Sequence, residues 1–184
     1  MRCFIALEFP EEIKEKIYRK LRHEIDSKPE LKWVEQENLH LTLKFLGEIS
    51  EEKAREVAKI LEKQFKGKKK IAVRLGNVGS FPDRGTIRVL WIGIEEGEDE
   101  IKEFARIVED SMKKLGFPKE KRNFVPHLTI ARSRKNTRKR FSQRDFNIDL
   151  KIPRFFIKEI VLYKSTLTPR GPIYEKLSVV RLDG

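Results

Sequence analysis

The chain has 184 residues, with 41 Lys and Arg against 29 Asp and Glu, a formal net charge of +12 and a pI near 9.8. One cysteine rules out an internal disulfide, the 39% hydrophobic content is enough for a core, and no apolar run reaches the length of a membrane span. The positive balance favours polyanionic partners, nucleic acid above all, although solubility in a Lys-rich organism is the plainer reading of such a charge.

No Gly-, Ser- or Pro-rich linker divides the sequence, so residues 1–184 are expected to form one domain. Lys and Glu dominate while Asn, Gln and Cys are scarce, as in heat-adapted proteins. The lone Cys3 and the early acids after Met1, which fit no signal peptide, point to the cytoplasm.

In chain order, Cys3 to Phe9 is an apolar run of strand length. Pro10 opens a helix with acids in its first turn, and Ile13, Ile17, Leu21 and Ile25 give it one apolar stripe. His23 lies in this helix among charged neighbours and reads as a surface residue. Leu39 to Phe45 alternates as a strand: Leu39, Leu41, Leu43 and Phe45 face one side, His40, Thr42 and Lys44 the other. Ser50 can cap a second helix running to about Phe65. Ile71–Val78 and Thr86–Ile94 read as strands around a Gly-Ser-Phe-Pro-Asp-Arg-Gly turn. Glu98–Leu115 is a third helix, stopped by Gly116 and Pro118. Val125–Ala131 is another strand, and 132–150 is a loop or short helix. Phe155–Leu167 and Tyr174–Leu182 close the chain as two strands around Pro169-Arg170-Gly171-Pro172. The fold class is α+β, with about eight strands and three longer helices.

The tetrapeptide His40-Leu41-Thr42-Leu43 returns as His127-Leu128-Thr129-Ile130, 87 positions later, and uses two of the three histidines. Phe4-Ile5-Ala6-Leu7-Glu8 and Trp91-Ile92-Gly93-Ile94-Glu95 share the same spacing, and Glu12-Ile13-Lys14-Glu15 matches Glu100-Ile101-Lys102-Glu103 with a slip of one. Each half reads as apolar strand, amphipathic helix, motif strand. Such an internal duplication predicts two lobes related by a pseudo-twofold.

On a strand, positions two apart point the same way, so each motif projects one imidazole and one hydroxyl to the same face. Two such pairs facing each other across the axis would suit in-line displacement at phosphorus. One histidine would deprotonate the nucleophile and the other protonate the leaving oxygen. The threonine hydroxyls could hold the non-bridging oxygens. Two histidines supply too few ligands for a zinc site, and no GxSxG elbow appears. Arg132, two past Ile130, could bind phosphate or be a surface charge. Arg88 is a charge inside an apolar strand, which demands a buried partner or a cleft. Phe45, Phe81 or Phe124 could stack a base, although core packing is the commoner role of a phenylalanine. Arg132, Arg134, Lys135, Arg138, Lys139, Arg140 and Arg144 form a basic stretch just after the second motif.

Paired H-x-T-x motifs at this spacing, in a duplicated chain of this length, resemble the two-histidine phosphoesterases. The chain is most similar to the RNA 2′,3′-cyclic phosphodiesterases, also called 2′-5′ RNA ligases. Arg2 to Glu8, Arg88 to Gly93, and Leu162 to Leu167 with Gly171 and Tyr174 share in the likeness. The resemblance implies antiparallel sheets facing a central cleft, helices outside, His40 as proton donor and His127 as proton acceptor. It also implies Thr42 and Thr129 beside them; Arg132, Arg88 and Phe45 are candidates for substrate contact on their own residue chemistry. Neither metal nor cofactor is expected. The implied substrate is RNA with a 2′,3′-cyclic phosphate end, tRNA halves among the candidates, processed by a monomer to a 2′-phosphomonoester. A 5′-hydroxyl in place of water would make a 2′-5′ linkage. Two other functions suit the composition: a non-catalytic module for RNA ends or tRNA, and a small cyclic-nucleotide phosphodiesterase.

Overall fold

A computed structural model describes residues 1–135 and 138–183. The elements run β1 (Arg2–Glu8), α1 (Glu11–Ser27), β2 (Leu31–Trp33), β3 (His40–Glu48), α2 (Glu51–Phe65), β4 (Ile71–Phe81) and β5 (Val89–Glu96). They continue with α3 (Glu98–Lys114), β6 (His127–Ser133), β7 (Phe155–Ile157), β8 (Glu159–Thr168) and β9 (Gly171–Arg181).

The helices form where periodicity and capping agree. Ile13, Ile17 and Leu21 are buried along α1, and the Ser50 side chain accepts the Lys53 N–H at 3.0 Å to cap α2. Acids fill the first turn of α3 and lysines its last, matching the helix dipole. Gly97 precedes α3 at φ 97°, where a Cβ would come 2.4 Å from the Ala72 carbonyl oxygen.

Two antiparallel sheets carry the strands, in the orders β3-β1-β8-β9 and β2-β6-β5-β4-β7. The duplication is visible in this topology. β1 and β3 correspond to β5 and β6, and β8 follows β4 at the same 87-residue spacing. Yet β4 pairs with β5, and β8 pairs with β1. Each half of the sequence therefore gives a strand to the other half's sheet, which locks the lobes together. One continuous apolar cluster contains Ile5, Leu7 and Leu41 from the first sheet, Ile92 and Leu128 from the second, and Ile17, Val57 and Val108 from the three helices.

Three expectations change. The apolar run from Phe155 is two strands in different sheets, because Ile157 and Ile160 are both fully buried and simple alternation fails between them. β7 pairs with β4 and β8 with β1. The β4–β5 ladder extends to Phe81↔Val89, since Gly79 makes room for the indole of Trp91 opposite it. β2 and two 3₁₀ turns, Gln36–Asn38 and Gln143–Asp145, carry no clear periodicity in the sequence. Asn136 and Thr137, inside the basic stretch, lie outside the described residues. Among the described residues, no helix is long and apolar enough to cross a membrane.

Candidate active site

β3 starts on the first motif and β6 on the second. Leu41 and Leu128 are fully buried in the core, so the flanking His-Thr pairs turn to the other face. Both imidazoles are fixed by the same local contact. His40 Nδ1 lies 2.6 Å from the Asn38 carbonyl oxygen, and His127 Nδ1 lies 2.7 Å from that of Val125. A carbonyl can only accept, so Nδ1 carries a proton in both rings and Nε2 is the atom free to gain or lose one. Thr42 Oγ1 lies 2.9 Å from His40 Nε2; toward a neutral ring the hydroxyl donates.

Strict alternation ends inside both motifs. The ladder of β1 with β3 skips Leu43, and the ladder of β5 with β6 skips Ile130. These are the fourth residues of the two motifs, and each is the extra residue of a β-bulge. The bulge turns two successive side chains inward, Leu43 with Lys44 and Ile130 with Ala131. The next side chain then returns to the face of the histidine. Phe45 is accordingly 59% exposed, not buried with Leu39, Leu41 and Leu43 as alternation predicts. Lys44, expected on the histidine face, is buried against Glu109, with Nζ 3.0 Å from both carboxylate oxygens. Arg132 occupies the position equivalent to Phe45 in the second motif and is exposed as well.

Aromatic groups surround each imidazole. The Phe4 ring is 4.9 Å from that of His40, and Tyr174 meets it edge-on at 5.2 Å. Phe81 meets His127 edge-on at 5.3 Å, with Trp91 at 6.1 Å. Phe4, Trp91 and Tyr174 carry no motif that marks them as site residues in the sequence. Their one mark is their place in the duplicated strand and the terminal hairpin.

Burial lowers the proton affinity of both histidines, His40 from 6.5 to about 4. The Asn38 and Val125 carbonyls oppose this, and Arg132 reinforces it at both rings. Burial also raises the Tyr174 phenol, and Arg132 opposes that. One guanidinium thus acts on groups from β3, β6 and β9, and β3 and β6 lie against each other without sharing a ladder. The two imidazoles, on strands that lie against each other, are therefore within reach of the same guanidinium. A neutral imidazole there can take a proton at Nε2 and, once charged, give it back, and a guanidinium can hold an anion.

The remaining candidates scatter. Arg88 is exposed just before β5, not inside it; its N–H donates to the Phe81 carbonyl at 2.8 Å and its carbonyl accepts from Ser133 at 3.0 Å. It needs no buried partner, because the strand starts one residue later. Phe124 is partly buried against the main core, whereas Phe81 is exposed beside His127. His23 is exposed on α1. Among the described residues, no group of three or more His, Cys, Asp or Glu side chains gathers in a way that could hold a metal ion.

The family model for LigT-like phosphoesterases matches the chain twice, over residues 7–91 and 92–174. The chain belongs to the LigT-like phosphoesterase family. The double match agrees with the duplicated motifs and the exchanged strands. This LigT-like chain is 42% identical, over 95% of its length and 97% of the relative's, to a protein of Methanocaldococcus jannaschii named RNA 2′,3′-cyclic phosphodiesterase. It is 36% identical over its full length to the Aquifex aeolicus protein of that name, covering 98% of it. Among solved structures it superposes on TT0787 of Thermus thermophilus with a TM-score of 0.80 at 26% identity, covering 100% of this chain and 99% of that one. E. coli LigT complexed with NADP+ superposes with a TM-score of 0.76 at 25% identity, covering 100% and 98%.

Proposed function

We propose that this chain is an RNA 2′,3′-cyclic phosphodiesterase, with His40 and His127 as its proton donor and acceptor. The observation that carries the reading is the pairing of two imidazoles under the influence of one guanidinium, each with Nδ1 committed to a carbonyl so that proton exchange falls to Nε2. The relatives bearing that name add to it.

The chemistry follows from the two Nε2 atoms. His127 takes a proton from water as the water oxygen bonds to phosphorus. The bond from phosphorus to the 3′ oxygen breaks, and His40 gives that oxygen a proton. A 2′-phosphomonoester remains, and the two rings reset by exchange with solvent. Arg132 and the hydroxyls of Thr42 and Thr129 hold the non-bridging oxygens, whose charge grows in the transition state. Once His40 is protonated its Nε2–H points to the leaving 3′ oxygen, and the Thr42 hydroxyl, no longer donating to that ring, is free to donate to the phosphate. A 5′-hydroxyl replacing water would form a 2′-5′ linkage by the same steps.

Phe45 and Arg88 contact the RNA, and RNA halves such as those of tRNA supply suitable ends. No metal takes part. The protein works as a cytoplasmic monomer, and residues 1–184 act as one two-lobed domain, supported by the apolar cluster that joins both sheets. An oligoribonucleotide ending in a 2′,3′-cyclic phosphate should yield the 2′-phosphate, in EDTA as in its absence. Tight binding without turnover would favour a binding module, and chelator inactivation reversed by a divalent cation would overturn the acid-base scheme.

A further inference from the structure

The two histidines face different strands in one decisive respect. Across the β1–β3 ladder the residue opposite His40 is Glu8, whereas across β5–β6 the residue opposite His127 is Gly93. The repeat counterpart of Glu8 is Glu95, two residues beyond Gly93 and exposed. A register difference of two residues has therefore kept an acid beside one histidine and removed it from the other.

Glu8 is only 7% exposed. It shares the face of β1 with Phe4 and Ala6, the face on which His40 lies. Its carboxylate accepts the Phe9 N–H at 3.1 Å and the Tyr163 hydroxyl, and lies 2.5 Å from Lys14 Nζ. Lys176 Nζ stands 3.6 Å away and also reaches Glu159 at 3.5 Å. Lys14 reaches Glu11 at 3.3 Å. Burying a carboxylate among this many donors carries a desolvation cost that an apolar residue would avoid.

We propose that Glu8 is a positioning residue that lets His40 serve as the proton donor. The proposal rests on the acid-base reading above. Around His40 stand Glu8 from β1, Lys14 from α1, Arg132 from β6, Tyr163 from β8 and Tyr174 from β9. Glu8 favours the imidazolium, Lys14 and Arg132 oppose it, and the influence of Glu8 exceeds that of either cation. His127 feels the Arg132 cation with no carboxylate to answer it. Burial alone would keep His40 from holding a proton; Glu8 restores part of that capacity. The ring then carries a proton weakly, and a weakly held proton is readily given to an alkoxide.

The test is an NMR titration of the three imidazoles, each assigned through its own substitution, beside the pH profile of kcat/KM on a cyclic-phosphate oligoribonucleotide. Glu8→Gln should move the His40 midpoint down by about half a pH unit or more, and Lys14→Met should move it up. Tyr163→Phe, which removes one donor but leaves the charge, keeps the test open if Glu8→Gln does not fold. It should leave the His40 midpoint above that of Glu8→Gln or, without that variant, within a few tenths of wild type. Glu95→Gln should leave both midpoints and the rate unchanged. In Glu8→Gln the acid limb of kcat/KM should move with His40 while the alkaline limb stays, and the plateau should fall about tenfold for each pH unit that the midpoint moves. Unmoved midpoints beside wild-type turnover would overturn this proposal alone. A moved midpoint with an unchanged rate would overturn the donor role. A wild-type protein without turnover would sink the acid-base reading, and this proposal with it.

Discussion

The two motif strands share a backbone and differ in what they carry. Both start on a histidine, both bulge at the fourth motif residue, and both return the sixth residue to the histidine face. At that sixth position one strand carries Phe45 and the other Arg132. At the fifth, Lys44 reaches Glu109 and the Pro118 carbonyl, while Ala131 simply fills space. Phe4 in one half is Trp91 in the other, and the residues facing the histidines are Glu8 and Gly93. The repeated strands share the geometry that aims the side chains; the register difference places an acid beside His40, and the sixth motif position carries a ring in one lobe and a cation in the other. An in-line displacement is asymmetric, so two identical lobes would serve it less well.

The largest effect should come from the histidines. His40→Ala and His127→Ala should each reduce single-turnover hydrolysis by about two to four orders of magnitude, the usual contribution of a general acid or base. RNA affinity should hardly change in either. Should one substitution cost less than tenfold, the division into donor and acceptor would fail.

The bulge pair comes next. Arg132→Ala should lower kcat/KM by about 10- to 100-fold, the range for a lost hydrogen bond to a charged group. That loss should be similar for a mononucleotide and a long RNA, because the phosphate is common to both. Phe45→Ala should act mainly through KM, and only when the terminal nucleotide has a base to stack. Equal losses on an abasic end would remove Phe45 from substrate contact.

These two positions mark the limit of the sequence pattern. The duplicated motifs, the helix stripes and the Ser50 cap are written in local periodicity, and the structure follows them. A bulge leaves no such mark. Leu43-Lys44-Phe45 reads as alternating, and only the pairing with β1 shows that Lys44 turns inward. Its partner Glu109 is 65 residues away on α3. The split between β7 and β8 is hidden for the same reason, because membership of a sheet is a long-range property. Glu8 was visible only as part of a repeat, since its importance depends on a register that differs between the halves.

The cationic side can be tested through RNA length. Arg138, Lys139 and Arg140 are exposed, with Lys139 3.3 Å from Glu30. If they hold the RNA backbone, longer cyclic-phosphate RNAs should show lower KM than a mononucleotide at similar kcat. Reversing all three charges should erase much of that advantage and reduce the salt slope by about two, at roughly 0.7 per single-strand phosphate contact. A 2′,3′-cyclic mononucleotide as good as a 20-mer at low salt would make the charge a solubility feature. The small-molecule reading would then lead.

The smallest expected effect is on stability, and it compares the two rings directly. Folding lowers the His40 proton affinity from 6.5 to about 4, so between those values the unfolded chain binds the extra proton. Stability from this group is therefore complete above pH 6.5 and is lost as the pH falls toward 4. One proton can contribute at most about 1.4 kcal/mol per pH unit. Carboxylates titrate in the same region, so the measurement is a difference: urea unfolding of the wild type and of His40→Asn, from about pH 4.5 to 7. The variant should lie closest to the wild type at low pH and fall behind as the pH rises. His127→Asn should show the same sign with a shallower trend, because His127 is lowered less far. Parallel curves for His40→Asn and wild type would mean that His40 is not held neutral by its burial. The difference drawn between the two lobes would then lose its electrostatic basis.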